Sequence, residues 1–590
     1  MKKAFNQHNK LVDIIESTKN DTYTCPVCKE ILTRNFGVSR QFFSHPNEKG
    51  NDCELKLGIM MKSGNGVYGD SEIDILRDQY YEKVFDDVKI ELSDYMSEEG
   101  YYLTQEQKDI IFAKEDRIKI AALSGSAKTS TLYYYSKERP FKRILYLVYN
   151  KSMKEECDRI FSKLRNTEIR TIHSLAYNYV GKFYKNKLTF NYGIVDIIKD
   201  LNLNWNNDME LATKIDKMMK EYMLSDALEF NDINLFKDEH GRTTEERDLI
   251  IFNCIKLWDL KNIYNNNIKI THDHYLKLFH LAKKPMSNKY DIILLDENQD
   301  SSTLVLDILK SSDVSNIVMV GDQYQQLYSW RNATNIMPLF EGKEYKLTTS
   351  FRVSQNIANI ANIIIKDICK IDINMKGFNT KQTIVSNIDK NKPYVCLCRT
   401  NAYIFAEVFE TIKYNEKAKL YFEGGFSSYA FNNILDGFYF SKKHKVKNPL
   451  FNKFEDYGKL IDYAKKTTDL ELLAINRMID KYGSLIPEII KSIKNNTITK
   501  KSKADVLFST VHRSKGMTHS LPVYISDDHF PIGEIFRKEY MDGDKKDFDI
   551  NDYYEEMCIL YVSITRCAGQ IELSDKLKEY LIMRYNFYRN

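Results

Sequence analysis

Two short segments carry residue types whose chemistry suits phosphate groups and divalent cations. The first follows the apolar run Ile118–Ala122 and leads into Ser130-Thr131-Leu132, where a helix is expected to begin. Its residues are Ala122, Leu123, Ser124, Gly125, Ser126, Ala127, Lys128, Thr129 and Ser130. In such a loop, backbone N–H groups and a helix N-terminus point at a polyphosphate, a lysine reaches the outer phosphates and a hydroxyl binds Mg²⁺. The segment therefore predicts a phosphate-binding loop, although glycine is usual at the positions of Ala122 and Ala127.

The second segment, Asp296–Asp300, places two carboxylates directly after the uncharged apolar run Ile292–Leu295. Ligands of open α/β sheets bind at the carboxyl ends of the strands, so these carboxylates are expected at a ligand-binding edge. Asp296 can hold Mg²⁺, and Glu297 can orient the attacking water. Taken alone, the pair also fits a solvated turn after a buried strand. Together with the loop, it predicts a nucleoside triphosphatase.

Length and composition limit the class of protein. The 590 residues predict about three to five domains, and 43% hydrophobic with 28% charged residues is an ordinary globular composition. A formal charge of +4 is nearly neutral for this length, so charge alone does not indicate nucleic-acid binding. No apolar run approaches the ~20 residues of a membrane span, and no apolar signal segment follows Met1-Lys2-Lys3. We expect an intracellular protein with no membrane partner, cytoplasmic or, in a eukaryote, nuclear.

A cysteine cluster near the N-terminus has metal-ligand spacing. Cys25 and Cys28 form a Cys-x-x-Cys knuckle, and His45 and Cys53 follow it. This ligand set predicts a structural Zn²⁺ site, which would stabilise a segment too short to bury a core unaided. A reduced, unliganded cluster is the alternative.

Alternating strand and helix signals favour mainly parallel, doubly wound sheets and an α/β fold. Further strand signals lie at Arg143–Val148, Arg170–Ser174, Ile317–Val320, Tyr394–Cys398, Val506–Ser509 and Pro522–Ile525. Two mainly helical stretches, about 180–285 and 415–500, interrupt these strands. This pattern predicts that both stretches are inserted domains.

A longer ordered set of motifs resembles the superfamily 1A DNA helicases of the UvrD/Rep/PcrA-like group, over roughly residues 100–580. The motifs are Leu103-Thr104 with Gln107, Ala122–Thr129, Asp296–Asp300, Val320-Gly321-Asp322 with Gln325, Tyr328 and Trp330, Ser350-Phe351-Arg352, Thr510–Met517 and Leu560–Arg566. Phe422–Phe426 and Ile434-Leu435-Asp436 resemble the F-box DNA helicase branch, but we find no F-box-like segment. Thr518 stands where relatives usually carry a glutamate that contacts the nucleotide sugar.

The resemblance implies two RecA-like parallel-sheet P-loop domains. The expected division is 1–70 zinc-binding module, 71–98 helical linker, 99–180 with 285–342 domain 1A, 181–284 inserted domain 1B, 343–414 with 501–590 domain 2A, and 415–500 inserted domain 2B.

The resemblance also implies roles for particular residues. For ATP and Mg²⁺ these are Gln107 on adenine, the loop 122–130 with Gly516 around the nucleotide, Lys128 on the β and γ phosphates, Thr129 and Asp296 on Mg²⁺, Glu297 as base, Gln325 as γ-phosphate sensor, and Arg352 and Arg566 as arginine fingers. For single-stranded DNA they are Asn150, Thr171, His173, Tyr328, Trp330, His512 and Lys515.

The leading hypothesis is an ATP-dependent 3′→5′ translocase and helicase that acts on single-stranded and tailed duplex DNA. Replication or recombination proteins are possible partners. A catalytically weak ATP-binding scaffold that loads or displaces proteins on DNA is the alternative, motivated by Ala127 and Thr518. A helicase-like effector with its own nuclease ranks last, because no nuclease-type carboxylate cluster lies outside the motifs.

Overall fold

A computed structural model describes residues 90–574 of the chain, apart from 206, 238–240, 242, 328–334, 370–373, 379–383, 386, 449, 468 and 527–549. It also describes residues 577, 578, 580, 581 and 584 and the backbone of five N-terminal strands. These strands are β1 Lys3–Phe5, β2 Leu11–Asp13, β3 Tyr23–Thr24, β4 Ile31–Phe36 and β5 Gln41–Ser44. They form an antiparallel sheet in the order β2-β1-β3-β4-β5.

A β-hairpin precedes the first large sheet. Strand β6 (Leu92–Met96) pairs antiparallel with β7 (Tyr102–Thr104), and Gly100 in the turn has φ +83°. The prediction of a helical linker over 71–98 is wrong for 92–96, because buried and exposed side chains there alternate with the period of a strand. Residues 71–89 lie outside the described residues.

The first large sheet is wholly parallel and contains the strands predicted for the first lobe, except that the strand predicted at 170–174 ends at Thr171 and a helix begins at Ile172. Its strands are β8 Arg117–Ala122, β9 Ile144–Val148, β10 Thr167–Thr171, β11 Ile292–Leu295, β12 Asn316–Gly321 and β13 Lys343–Leu347. Their order is β10-β9-β11-β12-β8-β13. The prediction that domain 2A begins at 343 is wrong for 343–347, because β13 pairs with β8 in this sheet. Every residue of β9 and β11 is buried, as expected for strands covered on both faces. Strands β8 and β11 flank β12, so the two phosphate-chemistry segments leave the same edge of the sheet.

The second large sheet is also parallel, in the order β16-β21-β20-β17-β19-β18. A two-stranded ladder of β14 (Thr349–Ser350) and β15 (Lys376–Gly377) precedes it. Its strands are β16 Ile384–Val385, β17 Tyr394–Cys398, β18 Leu420–Phe422, β19 Val506–Thr510, β20 Val523–Ile525 and β21 Ile571–Leu573. The prediction that 415–500 is wholly an insertion is wrong at 420–422, because β18 pairs with β19. We call the two sheets with their helices lobe 1 and lobe 2.

The helices fall into four groups. Lobe 1 carries Gln105–Ile111, Lys128–Lys137, Lys151–Ile160, Ile172–Tyr179 and Thr303–Lys310. The first insertion carries Ile194–Leu201, Met209–Leu224, Glu245–Asn262 and His272–Leu281. Lobe 2 carries Gln355–Cys369, Asn401–Tyr414, Val511–Ser514 and Ile550–Thr565. The second insertion carries Phe431–Ser441, Tyr457–Lys466, Leu470–Tyr482 and Ile486–Asn496.

These groups agree with the predicted α/β fold with two helical insertions. Among the helices of the described residues, none combines the length and apolar character that crossing a membrane requires.

Candidate functional site

The predicted phosphate-binding loop connects β8 to the N-terminus of helix Lys128–Lys137. Gly125 has φ +75°, and a Cβ added there would lie 2.6 Å from Ser350 Oγ and 2.7 Å from Arg352 Cβ. A side chain at this position would therefore collide with lobe 2. Ala127 has φ +59°, a left-handed conformation that costs an alanine about 1–2 kcal/mol. Ser126 Oγ is buried and has no hydrogen-bond partner among the described residues, so the loop offers a hydroxyl to a ligand.

The loop lysine and the two strand-end carboxylates lie together. Lys128 Nζ is 2.8 Å from Glu297 Oε1, in an ion pair whose side chains are largely buried. The Tyr146 hydroxyl donates a hydrogen bond to Asp296 Oδ2 (2.7 Å) and also interacts with the Thr129 hydroxyl. The residues predicted to hold the phosphates and Mg²⁺ are thus neighbours. Tyr146 was not predicted, although a polar side chain inside the buried run Ile144–Val148 was a signal that could have found it.

The two carboxylates differ in their electrostatic environment. Burial raises the pKa of Asp296, and the nearby charge of Glu297 adds to this rise. Burial acts in the same direction on Glu297, but the positive charges of Lys128 and Lys515 outweigh it and lower its pKa. Asp296 and the Thr129 hydroxyl are oxygen ligands of the kind Mg²⁺ prefers, and a cation beside Asp296 would favour its charged form. The residues therefore fit a magnesium ion.

Two arginines of lobe 2 reach the phosphate-binding loop of lobe 1. Arg352 Nη1 donates to Ser124 Oγ (3.0 Å), and Arg566 Nη2 donates to the same oxygen (2.8 Å). Both guanidinium groups are buried, and burial together with Arg352 lowers the pKa of Arg566 to about 9. Arg352 Nη1 also donates to Thr565 O (3.2 Å). Two buried guanidinium groups that converge on one oxygen form a site suited to an anion.

A hydrogen-bond network extends from this point to the residues after β12. Arg566 Nη2 also donates to Gln325 Oε1 (2.9 Å), and Gln325 Nε2 donates to Asp322 Oδ2 (2.8 Å). The Tyr561 hydroxyl donates to Asp322 Oδ2 (3.0 Å) and accepts from Ser124 N (3.0 Å). Tyr561 thereby links both lobes. Sequence reasoning placed Asp322 and Tyr561 in motifs but gave them no role.

Lys515, predicted to contact DNA, bridges the lobes in this structure. Its ammonium group forms an ion pair with Asp300 and donates to Gln325 O (2.5 Å). Burial and a nearby positive charge, Arg399, lower the pKa of His512 to about 4, so this histidine is neutral near pH 7.

An open cleft of about 400 Å³ lies beside the loop, lined by Gly125, Ala127, Phe351, Arg352, Thr518 and Ala568. Thr518, which stands at the expected sugar-contacting position, is therefore at its wall. Gly516 has φ +81°, and no described atom lies within 4 Å of the position a Cβ would take there.

Gln107 does not line the cleft. Its Oε1 accepts from Thr104 N (3.0 Å) and its Nε2 donates to Thr131 Oγ1 (3.2 Å). Its role with adenine stays a prediction.

The predicted DNA contacts of lobe 1 follow the carboxyl ends of neighbouring strands. Asn150 follows β9, and its Oδ1 accepts from Met153 N (2.9 Å) as a helix cap. Thr171 ends β10 and caps the next helix, while His173 Nε2 lies 3.0 Å from Asp273 Oδ1. These residues share the sheet edge of the phosphate-binding loop. Their contact with DNA stays a prediction, and Tyr328 and Trp330 lie outside the described residues.

The four predicted zinc ligands, Cys25, Cys28, His45 and Cys53, also lie outside the described residues. Within the part of the chain that the structure describes, no group of three or more histidine, cysteine or acidic side chains is arranged to hold a metal ion. The zinc site stays a prediction.

Comparison with known proteins agrees with this geometry. A family profile described as "UvrD/REP helicase N-terminal domain" matches residues 103–345. F-box DNA helicase 1 of Gallus gallus is 29% identical over 518 residues, which cover 82% of this chain and 50% of that protein. F-box DNA helicase protein 1 of Schizosaccharomyces pombe is 24% identical over 518 residues, covering 80% of this chain and 58% of that protein.

ATP-dependent DNA helicase Rep of Escherichia coli is 27% identical over 236 residues, 37% of this chain and 35% of that protein. The chain thus spans between half and three fifths of the length of the two F-box helicases.

Proposed function

We propose that this chain is a superfamily 1A helicase of the UvrD/Rep group, which hydrolyses ATP to move along single-stranded DNA and to unwind tailed duplexes. The observation that carries the proposal is the convergence of Arg352 and Arg566, from lobe 2, on the phosphate-binding loop of lobe 1. Phosphoryl transfer depends mainly on neutralising charge and aligning a water. An enzyme whose cations come from two lobes can link hydrolysis to relative movement of those lobes.

The proposed chemistry assigns one task to each residue. Lys128 binds the outer phosphates, which requires its ammonium group to exchange Glu297 for a phosphate oxygen. Glu297, whose lowered pKa keeps it ionised in the nucleotide-free form, then accepts the proton of the attacking water. Thr129 and Asp296 would hold Mg²⁺, which when bound neutralises phosphate charge and orients the phosphates. Arg352 and Arg566 stabilise the charge that develops on the transferred group, an effect worth about 10³–10⁵ in rate in comparable enzymes.

We propose that Gln325 carries the nucleotide state towards DNA. Its side chain contacts Arg566 and its backbone oxygen contacts Lys515, so one residue meets both functional groups. Single-stranded DNA would lie along the lobe 1 edge that holds Asn150, Thr171 and His173 and would also contact His512 of lobe 2, with Tyr328 and Trp330 as stacking platforms. Stacking tolerates any base, as a motor that ignores sequence requires.

Several finer features belong to the same proposal. Movement is proposed to be 3′→5′, and the biological setting to be DNA replication, repair or recombination with protein partners, inside a cell. The N-terminal cysteines are proposed to hold a structural Zn²⁺. We also propose the predicted domain division, with 343–347 assigned to lobe 1, 420–422 to lobe 2 and 92–96 to a hairpin.

One observation favours the alternative of a weakly catalytic scaffold. Ala127 holds a left-handed conformation within the phosphate-binding loop, and its methyl group lines the cleft. A methyl group there can crowd the phosphates. If the protein is a scaffold of this kind, it should bind ATP but hydrolyse it inefficiently.

Strand displacement on duplexes with a 3′ or a 5′ single-stranded tail tests the proposal. We expect displacement of the 3′-tailed duplex, only with ATP and Mg²⁺, together with ATP hydrolysis that single-stranded DNA stimulates. Lys128→Ala should abolish both, because the phosphates lose their lysine. Preference for the 5′ tail would refute the polarity. ATP binding without DNA-stimulated turnover in the unaltered protein would favour the scaffold.

A further inference from the structure

The first insertion holds a phenylalanine ring out into solvent. Phe190 is 87% exposed and sits at the tip of a turn formed by its two neighbours. Asn191 N donates to Thr189 Oγ1 (3.2 Å), and Thr189 Oγ1 donates to Asn191 O (3.0 Å). Thr189 N also donates to Ile270 O (3.0 Å), which fixes the turn to the chain just before helix His272–Leu281. The ring is thus presented by an anchored turn, and its exposure forgoes the hydrophobic gain of burial.

A chain of ring contacts runs from Phe190 to a predicted DNA-contacting residue. The Phe190 and His272 ring centroids are 4.9 Å apart at an interplanar angle of 39°. The His272 and Tyr275 centroids are 5.5 Å apart, and those of Tyr275 and His173 are 6.3 Å apart. The His272 Nδ1 lies 3.0 Å from the Tyr275 hydroxyl, which orients the imidazole. We call Phe190, His272, Tyr275 and His173 the ring ledge.

The charges around the ring ledge suit a strand with an anionic backbone. Lys182, Lys185 and Lys269 are exposed on the same part of the insertion, and Lys269 Nζ donates to Asn186 O (3.1 Å). The acidic neighbour, Asp273, is already paired with His173. Burial and the nearby His173 lower the pKa of His272, so its ring is neutral near pH 7 and acts as a stacking surface. An exposed aromatic ring beside exposed lysines is a combination that binds single-stranded nucleic acid without sequence preference.

We propose that the exposed Phe190 end of the ring ledge stacks bases of single-stranded DNA and extends the DNA path from His173 onto the first insertion. Tyr275 is buried and supports the rings of His272 and His173 rather than meeting a base. This inference rests on the proposed function. Each base has a flat π face, so the exposed Phe190 ring, backed by His272, can stack on any base of a moving strand. The four rings continue directly from the strand ends of lobe 1, where the backbone contacts are proposed.

Comparison of two phenylalanine variants tests the proposal. Phe141 is 96% exposed and precedes β9, at the opposite edge of the lobe 1 sheet, so Phe141→Ala is a matched control. Fluorescence anisotropy would measure binding to a short oligodeoxythymidylate and to an abasic oligomer of equal length. We expect Phe190→Ala to weaken oligodeoxythymidylate binding about fivefold or more, equivalent to about 1 kcal/mol of stacking, and to leave abasic binding unchanged. Phe141→Ala should change neither.

Two further measurements separate stacking from other causes. Phe190→Trp should retain the affinity because it keeps an aromatic face, and the salt dependence of Phe190→Ala should match that of the unaltered protein because no phosphate contact is lost. Equal weakening on the abasic oligomer, or no weakening at all, would overturn the proposal. No effect on DNA binding combined with altered self-association would instead assign the ledge to a protein contact. If the unaltered protein does not bind single-stranded DNA, the proposed function itself fails.

Discussion

Replacing Ser124 by alanine should tighten ATP binding, although Ser124 lies within the phosphate-binding loop. Its Oγ accepts hydrogen bonds from Arg352 and Arg566, the two arginines proposed to bind the γ-phosphate. Phosphate oxygens and Ser124 Oγ therefore compete for the same N–H groups. ATP can engage both arginines only after these bonds break. Ser124→Ala removes the competitor from the nucleotide-free form.

The contacts that remain in the variant set the size of this effect. A hydrogen bond with a charged partner contributes about 1.5–3 kcal/mol, so two such bonds set an upper limit of about 6 kcal/mol. In the variant Arg566 still donates to Gln325 Oε1 (2.9 Å) and Arg352 still donates to Thr565 O (3.2 Å). These remaining bonds reduce the free energy that each arginine loses with Ser124 Oγ. We expect a net gain of about 2 kcal/mol, which corresponds to roughly 30-fold tighter ATP binding.

The assay is equilibrium titration of Mg²⁺–ATP, made in a Glu297→Gln background so that hydrolysis does not interfere. Ser126→Ala is the matched control, because Ser126 Oγ is equally buried but has no partner in the structure. It should not tighten ATP binding. Unchanged or weaker affinity in a natively folded Ser124→Ala protein would refute the competition, since Ser124 would then serve the nucleotide rather than the arginines.

Three other substitutions have expected outcomes. Glu297→Gln should retain ATP binding but lower turnover by about 10²–10⁴-fold, because the proposed base is lost; unchanged steady-state hydrolysis would show that another group accepts the proton. Ala127→Gly should raise the free energy of unfolding by about 1 kcal/mol in denaturant titrations, as should Ala430→Gly at φ +57°, because both relieve a left-handed alanine; a destabilised Ala127→Gly would contradict this. Cys28→Ser should lower zinc content measured by elemental analysis, and a metal-free unaltered protein would exclude the site.

The central strands of both large sheets were predictable because burial on both faces demands continuous apolar residues, whereas the outer strands β13, β16 and β18 and the short strand β21 were not predicted. Ile292–Leu295 and Tyr394–Cys398 are buried throughout and stand out in the sequence. The wrong predictions fall on segments that are not buried on both faces. Leu92–Met96 lies in a two-stranded hairpin with one partly exposed face, and its polar residues resemble a charged helix. Leu420–Phe422 is a three-residue edge strand within a helical stretch, too short for a periodic signal.

The site was predictable where its residues are adjacent in sequence or belong to a motif. Lys128 and Glu297 each follow a buried strand, and the shared sheet edge brings them together. The contacts of Ser124 could not be predicted in this way, because Arg566 is 442 residues distant and meets it only when the lobes pack. Tyr561 is similar: its position in a motif did not reveal that its hydroxyl joins Asp322 to the loop backbone.

The same packing joins the proposed nucleotide site to the proposed DNA site through two hydrogen bonds, both made to Gln325. Arg566 donates to the side chain of Gln325, and Lys515 donates to the backbone oxygen of the same residue. If Arg566 moves to a phosphate, Gln325 loses a charged donor and its local conformation must adjust, which alters the acceptor that Lys515 uses. Each bond to a charged donor contributes about 1.5–3 kcal/mol, and coupling between distinct sites is typically about 1–3 kcal/mol. The energy of one such hydrogen bond already equals a typical coupling energy. The two bonds to Gln325 would therefore be sufficient to transmit the nucleotide state to Lys515 without a longer chain of residues.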